Sequence, residues 1–104
     1  MKSIIENLNK VFDNRVRLGI MSILVVNDWI DFTTIRDTLS ITDGQLASNI
    51  KALEKAEYIE IQKQFIGNKP NTSYAVTQLG KVAFEEHLKA LEDLLTDTRS
   101  SFDG

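Results

Sequence analysis

The chain has no cysteine, one proline, one tryptophan and one histidine in 104 residues. Without cysteine there is no disulfide framework and no thiolate metal site. A single histidine, His87, rules out a multi-histidine metal centre within one chain. No long hydrophobic run is present. The longest apolar cluster, Ile20 to Val26, spans seven residues and includes Ser22, far short of a bilayer crossing. Polar residues interrupt the N-terminal MKSIIENLNKVF, so no signal-peptide core forms there. The expectation is a cytoplasmic protein with no membrane partner.

An excess of basic charge is also missing. The formal net charge is −3, which on its face argues against nucleic acid. The distribution is uneven: residues 1–84 carry 10 basic against 9 acidic side chains, and residues 85–104 carry 2 against 6. The acidity therefore collects at the C-terminal end. What is present is ordinary for one globular domain, with 42% hydrophobic and 26% charged residues.

The pattern along the chain predicts α-α-β-α-α-β-β-α. Ile4, Ile5, Leu8, Val11 and Phe12 have helical spacing, and Ser3 with Glu6 forms a capping box, so a first helix is expected over Ser3–Phe12. Asn14 caps a second, largely apolar helix that ends at Asn27-Asp28. Trp29–Phe32 reads as a short strand, and Thr33 as the cap of a helix over Thr34–Leu39. Ser40-Ile41 is a turn. Thr42 and Gln45 form another capping box, opening a helix to about Glu57 with Leu46, Ile50 and Leu53 on one face. Alternation from Ile59 to Ile66 marks a strand. A five-residue turn, Gly67–Asn71, leads to a strand over Thr72–Val76. Thr77 caps a last helix from Gln78 to about Leu95, followed by a flexible acidic tail, 96–104. Residues 1–95 form a single domain. The fold class is mainly α with a small antiparallel sheet (α+β), and two helices joined by a short turn ahead of a hairpin make a winged helix-turn-helix.

Three stretches carry a family resemblance over most of the chain: Arg15-Val16-Arg17-Leu18, the segment Leu39–Glu54, and Phe65–Tyr74 followed by Val76-Thr77-Gln78-Leu79-Gly80. Together they resemble winged-helix transcriptional regulators related to the MarR and ArsR groups, in a short single-domain branch. One departure is Glu57, where many relatives have the glycine of a left-handed helix cap. The resemblance implies a DNA-binding regulator, read as a repressor, that sits on a two-fold symmetric operator as a homodimer.

With Leu46 at the centre of the core face, 100° per residue puts Ile50 and Leu53 inward and Gly44, Ser48, Lys51 and Lys55 within about 40° of the opposite side. Gln can pair with adenine, Ser with base or phosphate, and Lys with phosphate. The expected groove residues are Gln45, Ser48 and Lys51, with Asn49 and Lys55 at the margins and Thr42 at the helix start. Asp43 would repel phosphate and reads as a first-turn acid that favours the helix dipole. A polar helix face alone means only solvation; the helix-turn-helix order is what gives it meaning. The wing adds Lys63, Asn68, Lys69, Asn71 and Thr72, with no acid between Gln62 and Gln78. Thr33, Thr34 and Arg36, on the preceding helix, are expected at the backbone. Arg15 and Arg17 read equally as phosphate contacts or as partners of nearby acids.

For the dimer the expected residues are Ile4, Ile5 and Leu8 with Phe84, Leu88, Leu91 and Leu95, whose 4-3-4 spacing resembles a coiled-coil seam. Leu79, Val82 and Ala83 are expected to pack back on the domain. Trp29, Phe32 and Tyr74 are expected to fill the core, and His87 to be a solvated surface residue. No nucleophile elbow, phosphate loop or paired-carboxylate motif is visible, so no enzyme activity, cofactor or metal is expected. The partner is double-stranded DNA; no small-molecule effector can be named. The alternative is a winged helix serving as a protein-interaction module without DNA binding.

Overall fold

The computed structural model describes residues 4–103. Among these, no helix is long and apolar enough to cross a membrane. The chain opens with two short 3-10 turns, Ile4–Asn7 and Lys10–Phe12, in place of the expected continuous helix; Ser3 lies outside the described residues. The break has a specific cause. The Asn9 N–H donates to His87 Nδ1 at 3.0 Å, 78 residues away, and the Asn9 side chain accepts from Val11 N–H at 2.9 Å. Both bonds displace the i−4 pairing a helix needs. Phe12 then inserts its ring among Tyr58, Phe84 and His87, with centroids 5.1 to 5.5 Å apart.

Helix α1 spans Arg15–Leu24, capped by Asn14, whose side chain accepts from the Val16 and Arg17 amides. Ile20, Met21 and Leu24 are its buried stripe. Strand β1 is only Ile30–Asp31. Helix α2, Phe32–Leu39, is capped by Asp31 and not by Thr33, because the Asp31 carboxylate already accepts from the Thr34 amide and hydroxyl. Ser40 then takes a left-handed conformation, φ 54°, and turns the chain into helix α3, Asp43–Lys55. The Thr42/Gln45 capping box is formed as expected.

The end of α3 answers the question posed by Glu57. Glu57 adopts φ 63°, with its N–H bonded to the Glu54 carbonyl and the Tyr58 N–H bonded to the Leu53 carbonyl. That is the Schellman pattern, made here by a residue with a Cβ.

Strands β2 (Ile59–Ile66) and β3 (Lys69–Val76) pair antiparallel from Ile59–Val76 to Ile66–Lys69. The turn is two residues, Gly67-Asn68, shorter than the five expected, and Gly67 at φ 65° suits a II′ turn. Pro70 does not break the strand. It faces Phe65, in the non-hydrogen-bonded pair next to the Ile66–Lys69 closure, so its missing N–H points away from β2. On that other side β1 pairs only with Ser73 and Tyr74, and the sheet order β1-β3-β2 leaves an open edge at Pro70.

Helix α4 runs from Gln78 to Asp103, past the expected end near Leu95. Its N-terminus is riveted to the end of α3. Thr77 N–H donates to the Tyr58 carbonyl at 3.0 Å, Thr77 Oγ1 donates to the Glu57 carbonyl at 2.7 Å, and the same oxygen accepts from Gly80 N–H at 2.9 Å. Gly80 permits this closeness, since a Cβ there would lie 2.1 Å from Tyr58 O. The inward stripe of α4 is Phe84, His87 and Ala90, all nearly buried. His87 is thus 4% exposed and bonded to Asn9, which corrects its reading as a surface residue. Trp29 is 43% exposed and lies outside the core, whereas Phe32 and Tyr74 do pack within it.

Candidate nucleic-acid interface

Two features are the candidates: the outer face of α3, and the hairpin of β2 and β3 that follows it in the chain. Burial of Leu46, Ile50 and Leu53 fixes which side of α3 faces out. Gly44, Ser48, Lys51 and Lys55 are all exposed on the opposite side, as the 100° spacing requires. A Cβ at Gly44 would meet nothing within 4 Å. No packing within the chain requires a glycine there, so the small residue leaves room for something outside it.

The remaining expected contacts on α3 are partly committed within the chain. The Gln45 Oε1 accepts from the Thr42 N–H at 3.0 Å and from Thr42 Oγ1 at 3.3 Å. In this conformation the Gln45 oxygen is occupied; paired recognition of adenine needs both ends of the amide. Asn49 is half-buried with both ends used: Oδ1 accepts from Arg17 Nη1 at 3.3 Å and Nδ2 donates to the Gln45 carbonyl at 2.8 Å. Thr42 Oγ1 accepts from the Gln45 N–H at 3.1 Å as the N-cap.

On α2, Thr33 is exposed and Thr34 donates its hydroxyl to Asp31. Arg36 forms ion pairs with Asp43 at 2.8 Å and Asp37 at 3.0 Å. The hydrogen bonds it donates to Asp43 and then to Asp37 push the guanidinium pKa up. Asp43 is therefore a tie between α2 and the start of α3 as well as a first-turn acid. Arg15 is exposed at the mouth of a groove of about 390 Å³ between the start of α1, the Ser40 turn and Gln45. Neither Arg15 nor Arg17 is in an ion pair among the described residues.

The wing residues divide between two faces. Strand alternation puts Lys63, Phe65 and Thr72 with the Ile61–Tyr74 face, and Gln64, Ile66, Lys69 and Asn71 on the other. Lys63, Asn68 and Lys69 are exposed. Asn71 donates to Ser73 Oγ at 3.4 Å. Sequence reasoning did not single out Phe65 and Ile66, which are 75% and 62% exposed. Their adjacency at the tip was the available signal, because neighbours on a strand cannot both face one core.

The seam expected on α4 is changed in one member. Phe84 is buried in the domain's own core, while Leu88, Leu91 and Leu95 are exposed. Leu79 and Val82 are exposed too, and only Ala83 of that trio packs inward. Ile5 is exposed and Leu8 half-buried; the Ile4 side chain lies outside the described residues.

An exposed polar helix after a tight turn, with a hairpin following it, is the geometry of a known family. The profile of the winged helix DNA-binding domain matches residues 16–95. The chain belongs to the winged helix DNA-binding domain family. A curated relative, the uncharacterized protein MJ0432 of Methanocaldococcus jannaschii, is 30% identical over 79 residues, 76% of this chain and 86% of the relative. The transcriptional regulator homologue of Pyrococcus horikoshii superposes with a TM-score of 0.83 at 28% identity, covering 94% of this chain and 98% of that one. AbfR, in an overoxidized form bound to DNA, superposes with a TM-score of 0.73 at 17% identity, covering 96% and 74%. The fold and family are those of DNA-binding transcriptional regulators. In this winged helix, α2 and α3 are the helix-turn-helix, and the β2–β3 hairpin is the wing.

Proposed function

We propose that this winged helix is a transcriptional repressor that binds a two-fold symmetric operator as a homodimer, in the cytoplasm and without catalytic activity of its own. The recognition helix enters the major groove through Gln45, Ser48 and Lys51, with Lys55 and Thr42 at the backbone. Lys63, Asn68, Lys69 and Thr72 of the wing follow the backbone or minor groove, and Thr33 lies near the phosphates. The observation that carries this reading is the outer face of α3, where Gly44, Ser48, Lys51 and Lys55 stand exposed opposite a buried stripe. The AbfR complex supports it by fold. Support for the homodimer comes from Leu88, Leu91 and Leu95, which stay exposed on α4, since such a row usually marks an interface.

The mild basicity of the face predicts modest non-specific affinity and reliance on two recognition helices at once. The test is selection of bound duplexes from a random-sequence library, followed by titration at several salt concentrations. An enriched, symmetric sequence whose affinity falls steeply with salt is expected. A second reading, a protein-interaction module, is favoured by the exposed Phe65 and Ile66 at the wing tip. No enrichment, or binding indifferent to Lys51→Glu with Lys69→Glu, would decide for it.

A further inference from the structure

Arg17 has an unusual set of partners. It stands on α1, half-buried, and no carboxylate is within ion-pair distance among the described residues. Its guanidinium instead spans two neutral acceptors: Nε donates to the Val11 carbonyl and Nη1 donates to Asn49 Oδ1 at 3.3 Å. Asn49 passes the connection on, donating to the Gln45 carbonyl at 2.8 Å. The other end is equally well anchored. Val11 belongs to the N-terminal segment seated on α4 and on Tyr58, through Asn9 N–H to His87 Nδ1 and Asn9 Nδ2 to the Tyr58 hydroxyl at 2.9 Å. Arg17 is thus the link between that segment and the recognition helix.

The buried stripe of α3 sets how deeply the helix sits, but apolar packing is not directional and tolerates small rotations about the helix axis. A side-chain tip lies about 5–6 Å from that axis, so a rotation of about 10° moves it by about 1 Å. That is larger than the distance tolerance of a hydrogen bond to a base edge. A directional bond on the flank of the helix removes this freedom. Asn49 is on the flank, between the buried Leu46 stripe and the exposed Gln45.

We propose that Arg17 is a positioning residue for DNA reading: by bridging the Val11 carbonyl and the Asn49 amide it fixes the rotation of α3, and so the aim of Ser48 and Lys51, without touching DNA. The planar fork suits this task, because a lysine ammonium presents no pair of donors in fixed geometry. The inference rests on the reading above that α3 enters the major groove.

The test uses the full chain and Arg17→Lys, Arg17→Met, Asn49→Ala and the Arg17→Lys/Asn49→Ala pair. Affinity is measured on the duplex most enriched by the wild type and on a shuffled duplex, each over a range of salt, with urea denaturation alongside. Arg17→Lys is expected to lower the ratio of specific to shuffled affinity by about tenfold, leaving shuffled affinity and salt slope unchanged. Asn49→Ala should do the same, and the pair no more than either alone. Two results overturn the proposal. One is a uniform loss on both duplexes with Arg17→Met, a salt slope smaller by about 1, and wild-type behaviour of Arg17→Lys, which would make Arg17 a phosphate contact. The other is an unchanged ratio with lowered stability, which would make the link structural only. If Arg17→Met does not fold, Arg17→Lys and Asn49→Ala still decide. A wild type that enriches no duplex overturns the operator reading and this inference together; enrichment with variants that keep the wild-type ratio overturns the inference alone.

Discussion

Replacing Gly80 by alanine tests how α4 is joined to the end of α3. The new Cβ would sit 2.1 Å from Tyr58 O and 2.8 Å from Tyr58 C and Cα. These are backbone atoms, so no rotamer change relieves the clash. The helix must retreat by about 1 Å to restore van der Waals distance. That retreat stretches the Thr77 N–H bond to Tyr58 O, now 3.0 Å, and the Thr77 hydroxyl bond to Glu57 O, now 2.7 Å. Losing two such bonds costs about 1 kcal/mol each, and the overpacking about 1–3 kcal/mol. The better helix propensity of alanine offsets at most about 1 kcal/mol. The net expectation is a loss of about 2–4 kcal/mol. For a domain of this size that lowers the melting temperature by about 10–25 °C. Thermal and urea denaturation followed by circular dichroism measure it, with Gly44→Ala as the control. At Gly44 an added Cβ meets nothing within 4 Å, so that variant should be as stable as the wild type or slightly more so, while its DNA affinity falls. A Gly80→Ala protein that melts within a degree or two of the wild type would refute the close approach.

The strained cap, the buried phenol and the exposed leucines each make a further prediction. Glu57→Gly should raise stability by about 0.5–1 kcal/mol, because it relieves the left-handed strain at φ 63° while giving back part of the gain as glycine entropy; an unchanged or lower urea midpoint would contradict this. Burial, and then the negative charge of Glu54, pushes the Tyr74 pKa up. The folded state therefore holds the phenol proton more tightly than the unfolded chain does. Stability from this source is complete below about pH 10 and declines as pH rises through the folded-state value. Tyr74→Phe should flatten that alkaline decline in urea midpoints against pH, and parallel curves would speak against it. Finally, Leu88→Glu with Leu91→Glu should leave a folded monomer near 11.8 kDa by light scattering while the wild type runs at twice that mass; equal masses for the two would remove α4 from the interface.

Much of the architecture was legible from neighbours a few residues apart. The Asn14 cap, the Thr42/Gln45 capping box and the alternation from Ile59 all rest on interactions within one turn or one strand, and all are formed. The outward face of α3 was legible for the same reason: a period of 3.6 residues puts Gly44, Ser48, Lys51 and Lys55 opposite Leu46, Ile50 and Leu53 whatever the helix packs against. The Glu57 cap was half legible, since its position was marked but its conformation was not.

The remainder was decided by contacts between distant residues, which no local pattern encodes. The N-terminal segment had helical spacing, yet Asn9 gives its N–H to His87, and a part-buried bond across 78 residues outweighs a weak local preference. Pro70 is tolerated in β3 only because β1 stops at Asp31 and leaves that edge unpaired. Gly80 matters because of Tyr58. The Asn49 amide looked free as sequence, but Arg17, 32 residues away, occupies its oxygen. Periodicity by itself determined which side of each element faces inward. Only the tertiary structure decided which polar groups on the outer side were already hydrogen-bonded within the chain and which remained available to DNA.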